Sequence, residues 1–117
     1  MCDDRVDAIM SMEIELHDEV VKWLDALSDE EWGRVVVIVD RLADLGFRAR
    51  MPLSRSLGEG LFELRFTLGS TARRITYRFT NDARIILLTT FHKQRDNERG
   101  EVARARKAAA ECARRYP

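Results

Sequence analysis

The stretch from residue 61 to residue 95 constrains the fold most, because its side chains alternate as they do in the strands of a sheet. Residues 61–68, LFELRFTL, place apolar side chains on one face and polar ones on the other, since successive strand residues point to opposite sides. Residues 73–79 repeat the pattern after a Gly69-Ser70 turn signal. These runs predict adjacent antiparallel strands with one buried face and one exposed polar face.

A third run, residues 84–91, follows an Asn81-Asp82 turn signal and is apolar on both faces. This composition is typical of an interior strand that is covered from two sides. It leads directly into a polar, cationic segment, His92-Lys93-Gln94-Arg95. The three runs together predict a three-stranded antiparallel meander that ends beside a group of positive charges.

The residues before the meander predict two helices. Residues 17–27 carry apolar side chains at helical spacing, and Ser28 followed by Glu31 is a capping-box pattern that marks the start of a second helix ending near Gly46. Residues 5–16 contain a short alternation that allows a first strand ending around Ile14. The apolar faces of the two helices require a sheet to pack against.

The other two segments carry weaker patterns. Pro52 and the Gly58-Glu59-Gly60 signal predict an irregular connector over residues 47–60. Residues 97–115 are rich in alanine and arginine and predict a last helix that is either exposed or packed against a partner. The predicted fold class is therefore α+β, one domain over residues 1–117: two N-terminal helices on a small antiparallel sheet, then a C-terminal helix.

Composition favours a cytoplasmic protein. No apolar run is long enough to span a membrane, and the first four residues are acidic where a signal peptide would be basic. The two cysteines, Cys2 and Cys112, lack metal-site spacing, so we interpret them as structural or incidental and predict neither a metal site nor a cofactor.

A net charge of zero conceals opposite charges in the two halves of the chain. Residues 1–47 hold 4 Lys/Arg and 13 Asp/Glu, a balance of 4 − 13 = −9, and residues 48–117 hold 16 and 7, a balance of 16 − 7 = +9. The basic half indicates an anionic partner, with nucleic acid favoured over a membrane. The alternative is that the two halves neutralise each other across the fold.

Arginines on the polar face of the meander are the candidates for holding a phosphate chain. Arg65, Arg74 and Arg78 share that face, whereas Arg73 falls on the apolar side and is discounted. Arg65 has an alternative, a salt bridge with Glu63 or with an acidic residue of the first two helices, and Arg78 is equally compatible with a surface salt bridge.

The order of these elements and several of their segments resemble the RelE/ParE toxin superfamily, and the HigB-like, phage-derived branch in particular. The resemblance covers about residues 17–110 and is carried by WLDAL at 23–27, LG at 45–46, LGEGLFELR at 57–65, RITY at 74–77 and LLTTFHK at 87–93. It implies a type II toxin that cleaves mRNA on the ribosome without a metal or cofactor. It also implies a HigA-like antitoxin with a helix-turn-helix fold. The protein would contact DNA only indirectly, through this antitoxin.

The resemblance also suggests roles for individual residues. It makes Arg65 and Arg74 phosphate-clamping catalytic residues and His92, Lys93 and Arg95 further catalytic or RNA-contacting groups. We assign His92 and Lys93 to catalysis and Arg95 to RNA binding. Arg78 on the polar face and Arg55 in the connector are further candidates for RNA binding. A histidine suits base or acid duty near neutral pH, although a lone histidine is more often structural. Two alternatives stay open: a ParE-like inhibitor of DNA gyrase, and a noncatalytic RNA- or protein-binding member of the superfamily.

Overall fold

In the computed structural model, which describes residues 11–93 and 98–117, helices cover both faces of a five-stranded sheet. The strands lie in the order β1-β5-β4-β3-β2; β1 runs parallel to β5 and the other neighbours are antiparallel. In chain order the elements are β1 (Glu13–Leu16), α1 (Asp18–Asp25), α2 (Asp29–Leu45), β2 (Ser54–Gly58), β3 (Leu61–Leu68), β4 (Thr71–Phe79), β5 (Arg84–His92) and α3 (Glu98–Arg115).

The predicted meander is confirmed. β3 and β4 meet at the Gly69-Ser70 turn, where Gly69 has a φ of 63° that a side chain would strain. β5 lies between β4 and β1 and is buried on both faces, as its composition predicts. One face of the sheet packs against α1 and α2, in a core formed by Val20, Val35, Leu42, Leu64, Leu68, Ile75, Tyr77, Ile85 and Leu87.

The α1–α2 hairpin follows the local signals in its sequence. The Ser28 hydroxyl accepts a hydrogen bond from the Glu31 amide at 3.2 Å, and the Glu31 carboxylate accepts one from the Ser28 amide at 3.1 Å. This capping box fixes the start of α2. Gly46 ends the helix with a φ of 54°, and a Cβ there would come within 2.8 Å of the Met12 sulfur.

Two predictions about the sheet are wrong in detail. The connector over residues 47–60 is not irregular throughout, because it contains β2, an edge strand whose register shifts between Ser56 and Gly58. That shift breaks the alternation by which a strand is recognised. The sheet is also mixed rather than antiparallel, since β1 pairs in parallel with β5 and continues past the predicted Ile14 to Leu16.

The sequence predicted that the polar face of the meander is exposed, and this is wrong, because α3 covers part of that face. Ala105 and Cys112 of this helix are buried against Leu61, Ile86 and Leu88. Alanine lets a helix approach a sheet closely, so α3 buries a narrow stripe that gives little apolar periodicity in the sequence. Among the described residues, none of the helices combines the length and apolarity required to cross a membrane.

Candidate functional site

Arg65 and Arg74 lie side by side on neighbouring strands. They are direct cross-strand partners of β3 and β4, so their side chains extend from the same face of the sheet, the face that α3 covers in part. Their side chains are 20% and 6% exposed, respectively. Two like charges placed directly opposite each other in a sheet repel, so a negative group is required nearby.

That negative group is Glu63, whose side chain is fully buried. One of its oxygens, Oε2, lies 3.0 Å from Arg65 Nη1 and 3.8 Å from Arg74 Nε. Its other oxygen, Oε1, accepts no hydrogen bond from the residues that the structure describes. One carboxylate thus serves two guanidinium groups, and the three side chains together keep a charge of 2 − 1 = +1.

Arg55 extends this group towards the edge of the sheet. It is the cross-strand partner of Glu63 on β2 and is exposed to solvent. We call Arg55, Glu63, Arg65 and Arg74 the arginine cluster. Burial lowers the pKa of Arg74, and the charges of Arg65 and Arg55 lower it further, whereas Glu63 and Glu98 act in the opposite direction.

The arginine cluster is suited to contact a phosphate. Arg65 and Arg55 provide accessible guanidinium groups, and Arg74 is held in place by a hydrogen bond from Nη1 to the Arg73 carbonyl at 2.9 Å. Guanidinium groups pair with phosphate oxygens through parallel hydrogen bonds and stay charged at any physiological pH. Immobile cations beside a reacting phosphate stabilise the charge that develops on it.

The register of β4 and β5 separates Lys93 from His92. The Lys93 amide donates a hydrogen bond to the Ala72 carbonyl at 2.8 Å, which continues the ladder beyond the Arg74–Phe91 pair. Lys93 therefore follows on the same face as Arg74, about 7 Å further along the strand. His92 pairs with Arg73 and lies on the opposite face, so the structure does not bring it together with Arg65 and Arg74.

Arg73 lies on the α1 side of the sheet, as alternation predicts. Its guanidinium group stacks 4.6 Å from the centre of the Trp23 ring and donates a hydrogen bond to Thr90 Oγ1 at 2.8 Å. Burial lowers the pKa of Arg73, while Glu101 opposes this effect. Its contacts give it a structural role beside the first helix.

Arg78 does not belong to the arginine cluster. It lies four residues from Arg74 on the same strand face, about 13 Å away. Its Nη1 donates a hydrogen bond of 2.6 Å to the Tyr116 carbonyl, just beyond the end of α3. The structure therefore gives Arg78 a helix-anchoring contact that its assignment to RNA binding did not anticipate. Arg95, also assigned to RNA binding, lies outside the described residues.

The salt bridge between Arg65 and Glu63, which the sequence left open as an alternative, is present in the structure, but Glu63 is fully buried where the sequence predicted an exposed residue of the polar face. The available signal was the Glu63-Leu64-Arg65 spacing, since residues two apart on a strand share a face. What alternation does not reveal is the cover provided by α3. Within residues 11–93 and 98–117, no group of three or more His, Cys, Asp or Glu side chains is arranged to hold a metal ion.

Comparison with known proteins gives a family and a fold. Residues 22–115 match the family model described as "Phage derived protein Gp49-like (DUF891)". A mutant of the Escherichia coli toxin RelE in the free state superposes with a TM-score of 0.58 at 9% identity, covering 87% of this chain and 97% of that one. The toxin–antitoxin complex RelBE2 of Mycobacterium tuberculosis matches with a TM-score of 0.46 at 20% identity, covering 71% of this chain and 99% of the matched chain. No curated protein matches.

Proposed function

This chain belongs to the phage-derived Gp49-like family and has a RelE-like fold, and from this premise we propose that it is the toxin of a type II toxin–antitoxin system. Its activity would be metal-independent cleavage of mRNA on the ribosome. The Escherichia coli protein with the same fold is itself a toxin. The observation that carries the proposal is the direct pairing of Arg65 with Arg74 above a single buried carboxylate.

Metal-free RNA cleavage needs three kinds of group. A base removes the proton of the 2′-hydroxyl, cations stabilise the phosphate as its charge grows, and an acid protonates the departing 5′ oxygen. Arg65 and Arg74 serve the second task, and Arg55 adds a contact to the RNA beside them. Lys93, on the same face as Arg74, serves RNA binding or proton transfer. His92 would reach the reacting atoms only from the rim of the sheet.

A noncatalytic, RNA- or protein-binding role is the second candidate, and it is favoured by the low exposure of Arg74, which limits the access of a reacting phosphate to that side chain. A side chain that is 6% exposed and shares a buried carboxylate also has a structural use. However, Glu63 cannot neutralise both arginines, and Arg74 Nε lies beyond hydrogen-bond distance from it, at 3.8 Å. The cluster therefore keeps a positive charge that is available to a phosphate.

Replacing Arg65 and Arg74 together by lysine tests the proposal. Lysine keeps the charge that Glu63 requires, so the fold is preserved, but it lacks the planar fork that pairs with two phosphate oxygens. Alanine at both positions would instead leave Glu63 buried without a partner. We expect the double lysine variant to lose at least about 100-fold in mRNA cutting, as removal of an oxyanion-stabilising donor does.

The measurement is primer extension on cellular mRNA after induction, with thermal unfolding followed by circular dichroism. Arg34→Lys with Arg41→Lys is the matched control, because both are exposed arginines of α2. Wild-type cutting by the Arg65/Arg74 variant would refute the role of the cluster. A wild-type protein that cuts no mRNA but inhibits DNA supercoiling by gyrase would support the ParE-like alternative.

The proposed partners are the ribosome, its mRNA and a helix-turn-helix antitoxin of the HigA type, all in the cytoplasm. The charge of the second half of the chain, +9, suits contacts with ribosomal RNA as well as with mRNA. An adjacent reading frame with helix-turn-helix patterning, whose product copurifies with this chain, would support the antitoxin assignment.

A further inference from the structure

A groove runs between the edge strand β2 and the first half of α3. It has a volume of about 420 Å³ and is lined by Arg55, Leu57, Glu98, Arg99, Val102 and Arg106. We call it the β2–α3 groove. Its volume lies within the range of roughly 300–1,000 Å³ that is usual for small-ligand sites. None of the functions assigned above to individual residues accounts for it.

The shape of the groove follows from the two elements that form it. The α3 residues that line it recur at helical spacing, so they make one stripe facing β2. Because β2 is the last strand of the sheet, the groove is open on its outer side. Arg106 closes one end by donating hydrogen bonds to the Leu57 carbonyl at 2.6 Å and the Gly58 carbonyl at 3.4 Å.

The groove combines an apolar floor with a cationic rim. Leu57 and Val102 are half-buried and form the floor. The rim carries three arginines and one glutamate, a balance of 3 − 1 = +2. Single-stranded nucleic acids bind to this combination, because the cations follow the backbone while bases lie on apolar surfaces or stack on guanidinium planes.

The groove is continuous with the arginine cluster. Arg55 belongs to both, since it lines the groove and faces Glu63 across β2 and β3. Glu98, at the other side of the groove, is close enough to Arg74 to influence its pKa. A chain whose phosphate lies at Arg65 and Arg74 therefore reaches the groove with its neighbouring nucleotide.

We propose that the β2–α3 groove is a binding site for the RNA nucleotide adjacent to the cleaved bond. Its base lies on Leu57 and Val102, and Arg55 and Arg99 contact its phosphate. This inference rests on the proposed function, because it assumes that RNA is the ligand of the arginine cluster. It adds a second point of attachment, which sets the direction of the RNA across the sheet.

The test measures RNA binding without cleavage. The probe is a fluorescent single-stranded RNA that contains the cut sequence found by primer extension and carries a 2′-deoxynucleotide at the cleaved position. Arg99→Ala is compared with Arg114→Ala, since both are exposed arginines of α3 and only Arg99 lines the groove. We expect Arg99→Ala to weaken binding about three- to tenfold and to reduce the salt dependence by about one phosphate contact, with no change for Arg114→Ala.

A second comparison tests the floor. An abasic nucleotide beside the cleaved position should weaken wild-type binding about threefold or more. Its effect on Val102→Asn should be smaller, because this variant has already lost the contact between the base and the floor, and the effects of two groups in contact are not additive. Equal binding by Arg99→Ala and Arg114→Ala would overturn the inference, and so would a wild-type protein that does not bind the probe at low salt.

These outcomes are separate from failure of the proposed function. Equal binding by the two variants, with mRNA cutting intact, would refute the groove as an RNA site and leave the proposed nuclease activity standing. If the protein cuts no mRNA, the probe is a single-stranded RNA of arbitrary sequence, and binding of it that depends on Arg99 would refute the nuclease activity and support the groove as an RNA site. Loss of antitoxin affinity by Arg99→Ala, with RNA binding unchanged, would make the groove a protein-docking surface and overturn its assignment to RNA.

Discussion

Glu63 is the residue on which the geometry of the arginine cluster depends. Without its charge, Arg65 and Arg74 would face each other across β3 and β4 without the shared carboxylate that offsets their repulsion. Its carboxylate holds them in place while leaving a surplus positive charge. Because Glu63 acts through the two arginines, we regard it as a positioning residue rather than a catalytic one.

Glu63→Gln should therefore separate RNA binding from cleavage. The amide keeps the shape but removes the negative charge, so the cluster gains one unit of positive charge, and binding of the uncleavable RNA should tighten severalfold at low salt. The rate of cleavage should fall, because Arg65 loses the partner that orients it. Breaking the buried pair should cost about 3 kcal/mol in the free energy of unfolding, as measured in urea.

A matched control is Glu31→Gln, which removes an exposed carboxylate of the capping box outside the cluster. Weaker RNA binding by Glu63→Gln, together with unchanged cleavage of the RNA that is bound, would contradict the positioning role. Tighter binding with full cleavage would show that orientation of Arg65 by Glu63 is dispensable.

Tyr77 provides a pH-dependent contribution from the opposite face of the sheet. Its side chain is 1% exposed, and its hydroxyl shares a hydrogen bond with Ser54. Burial raises the pKa of Tyr77 above its ordinary value of 10.0, and the bond to Ser54 acts in the opposite direction. The folded state thus holds the phenol proton more tightly than the unfolded state, so stability is complete below pH 10 and decreases as the pH rises beyond it.

Tyr77→Phe should remove this alkaline decrease. At pH 8 the variant should be about 1 kcal/mol less stable, because the hydrogen bond to Ser54 is lost. Between pH 8 and pH 10.5 its free energy of unfolding should fall less than that of the wild type, since no phenol titrates. Urea unfolding at the two pH values measures both differences. Parallel decreases in the two proteins would mean that Tyr77 does not control the alkaline limit.

At the scale of elements, α3 is attached to the sheet by an apolar stripe and by arginines that reach backbone carbonyl groups. Arg106 binds the end of β2, Arg104 donates to the Thr90 carbonyl at 3.4 Å, and Arg78 binds the carbonyl beyond the C-terminal end of α3. The apolar contact beneath the helix is centred on Ala105 and Cys112, which are buried. Each of these hydrogen bonds also contributes to keeping α3 over the buried polar face.

Arg78→Ala should loosen α3 without affecting RNA binding. The hydrogen bond to Tyr116 is partly exposed, so its loss should cost only about 0.5–1 kcal/mol. Hydrogen exchange should become faster in residues 112–116 and remain unchanged in β3 and β4. Arg55→Ala is the comparison, because it should weaken RNA binding and leave exchange in α3 as it is. If Arg78→Ala weakens RNA binding as much as Arg55→Ala does, Arg78 contacts RNA after all.

The elements that sequence predicts well are those with strong local signals. Alternation assigned each residue of β3 to the correct face, and the Ser28–Glu31 capping box located the start of α2. The burial of two polar residues depends on contacts distant in the chain and left no local signal. Ser54 is a polar residue of β2 that is buried and hydrogen-bonded to Tyr77, and Glu63 is fully buried on the face of the sheet against which α3 packs.

The candidate site likewise has one part that local sequence signals predict and one part that they do not. Arg65 and Arg74 share a face, as alternation predicts, and the length of the β3–β4 turn makes them direct partners. The separation of His92 from this pair also depends on register, but on one that sequence left open, since β4 and β5 shift between Thr76 and Tyr77. A shift of one residue exchanges the two faces of a strand beyond it.

At the scale of the whole molecule, the two oppositely charged halves partly neutralise each other. Glu15 pairs with Arg84 and Glu19 pairs with Arg104, so both ion pairs join the acidic half to the basic half. Glu19 also accepts a hydrogen bond from the Thr90 amide at 2.9 Å, at the edge of β5 beyond the end of β1. The alternative that the two halves neutralise each other across the fold is therefore partly correct. Arg55 and Arg99 remain exposed for an anionic partner.

This asymmetry leads to a prediction about the antitoxin. An inhibitor gains most by covering the surface that binds phosphate, and opposite charges accelerate its approach. We therefore expect Arg55→Glu and Arg99→Glu to lower the association rate constant for the antitoxin about tenfold each at low salt. Asp25→Asn and Asp40→Asn, which change exposed residues of the acidic half, should leave that rate unchanged. Surface plasmon resonance at two salt concentrations measures these rates. On this proposal the acidic half faces away from the inhibitor. Loss of antitoxin affinity in either aspartate variant would therefore place the interface on α1 and α2. Inhibition would then occur without covering the arginine cluster.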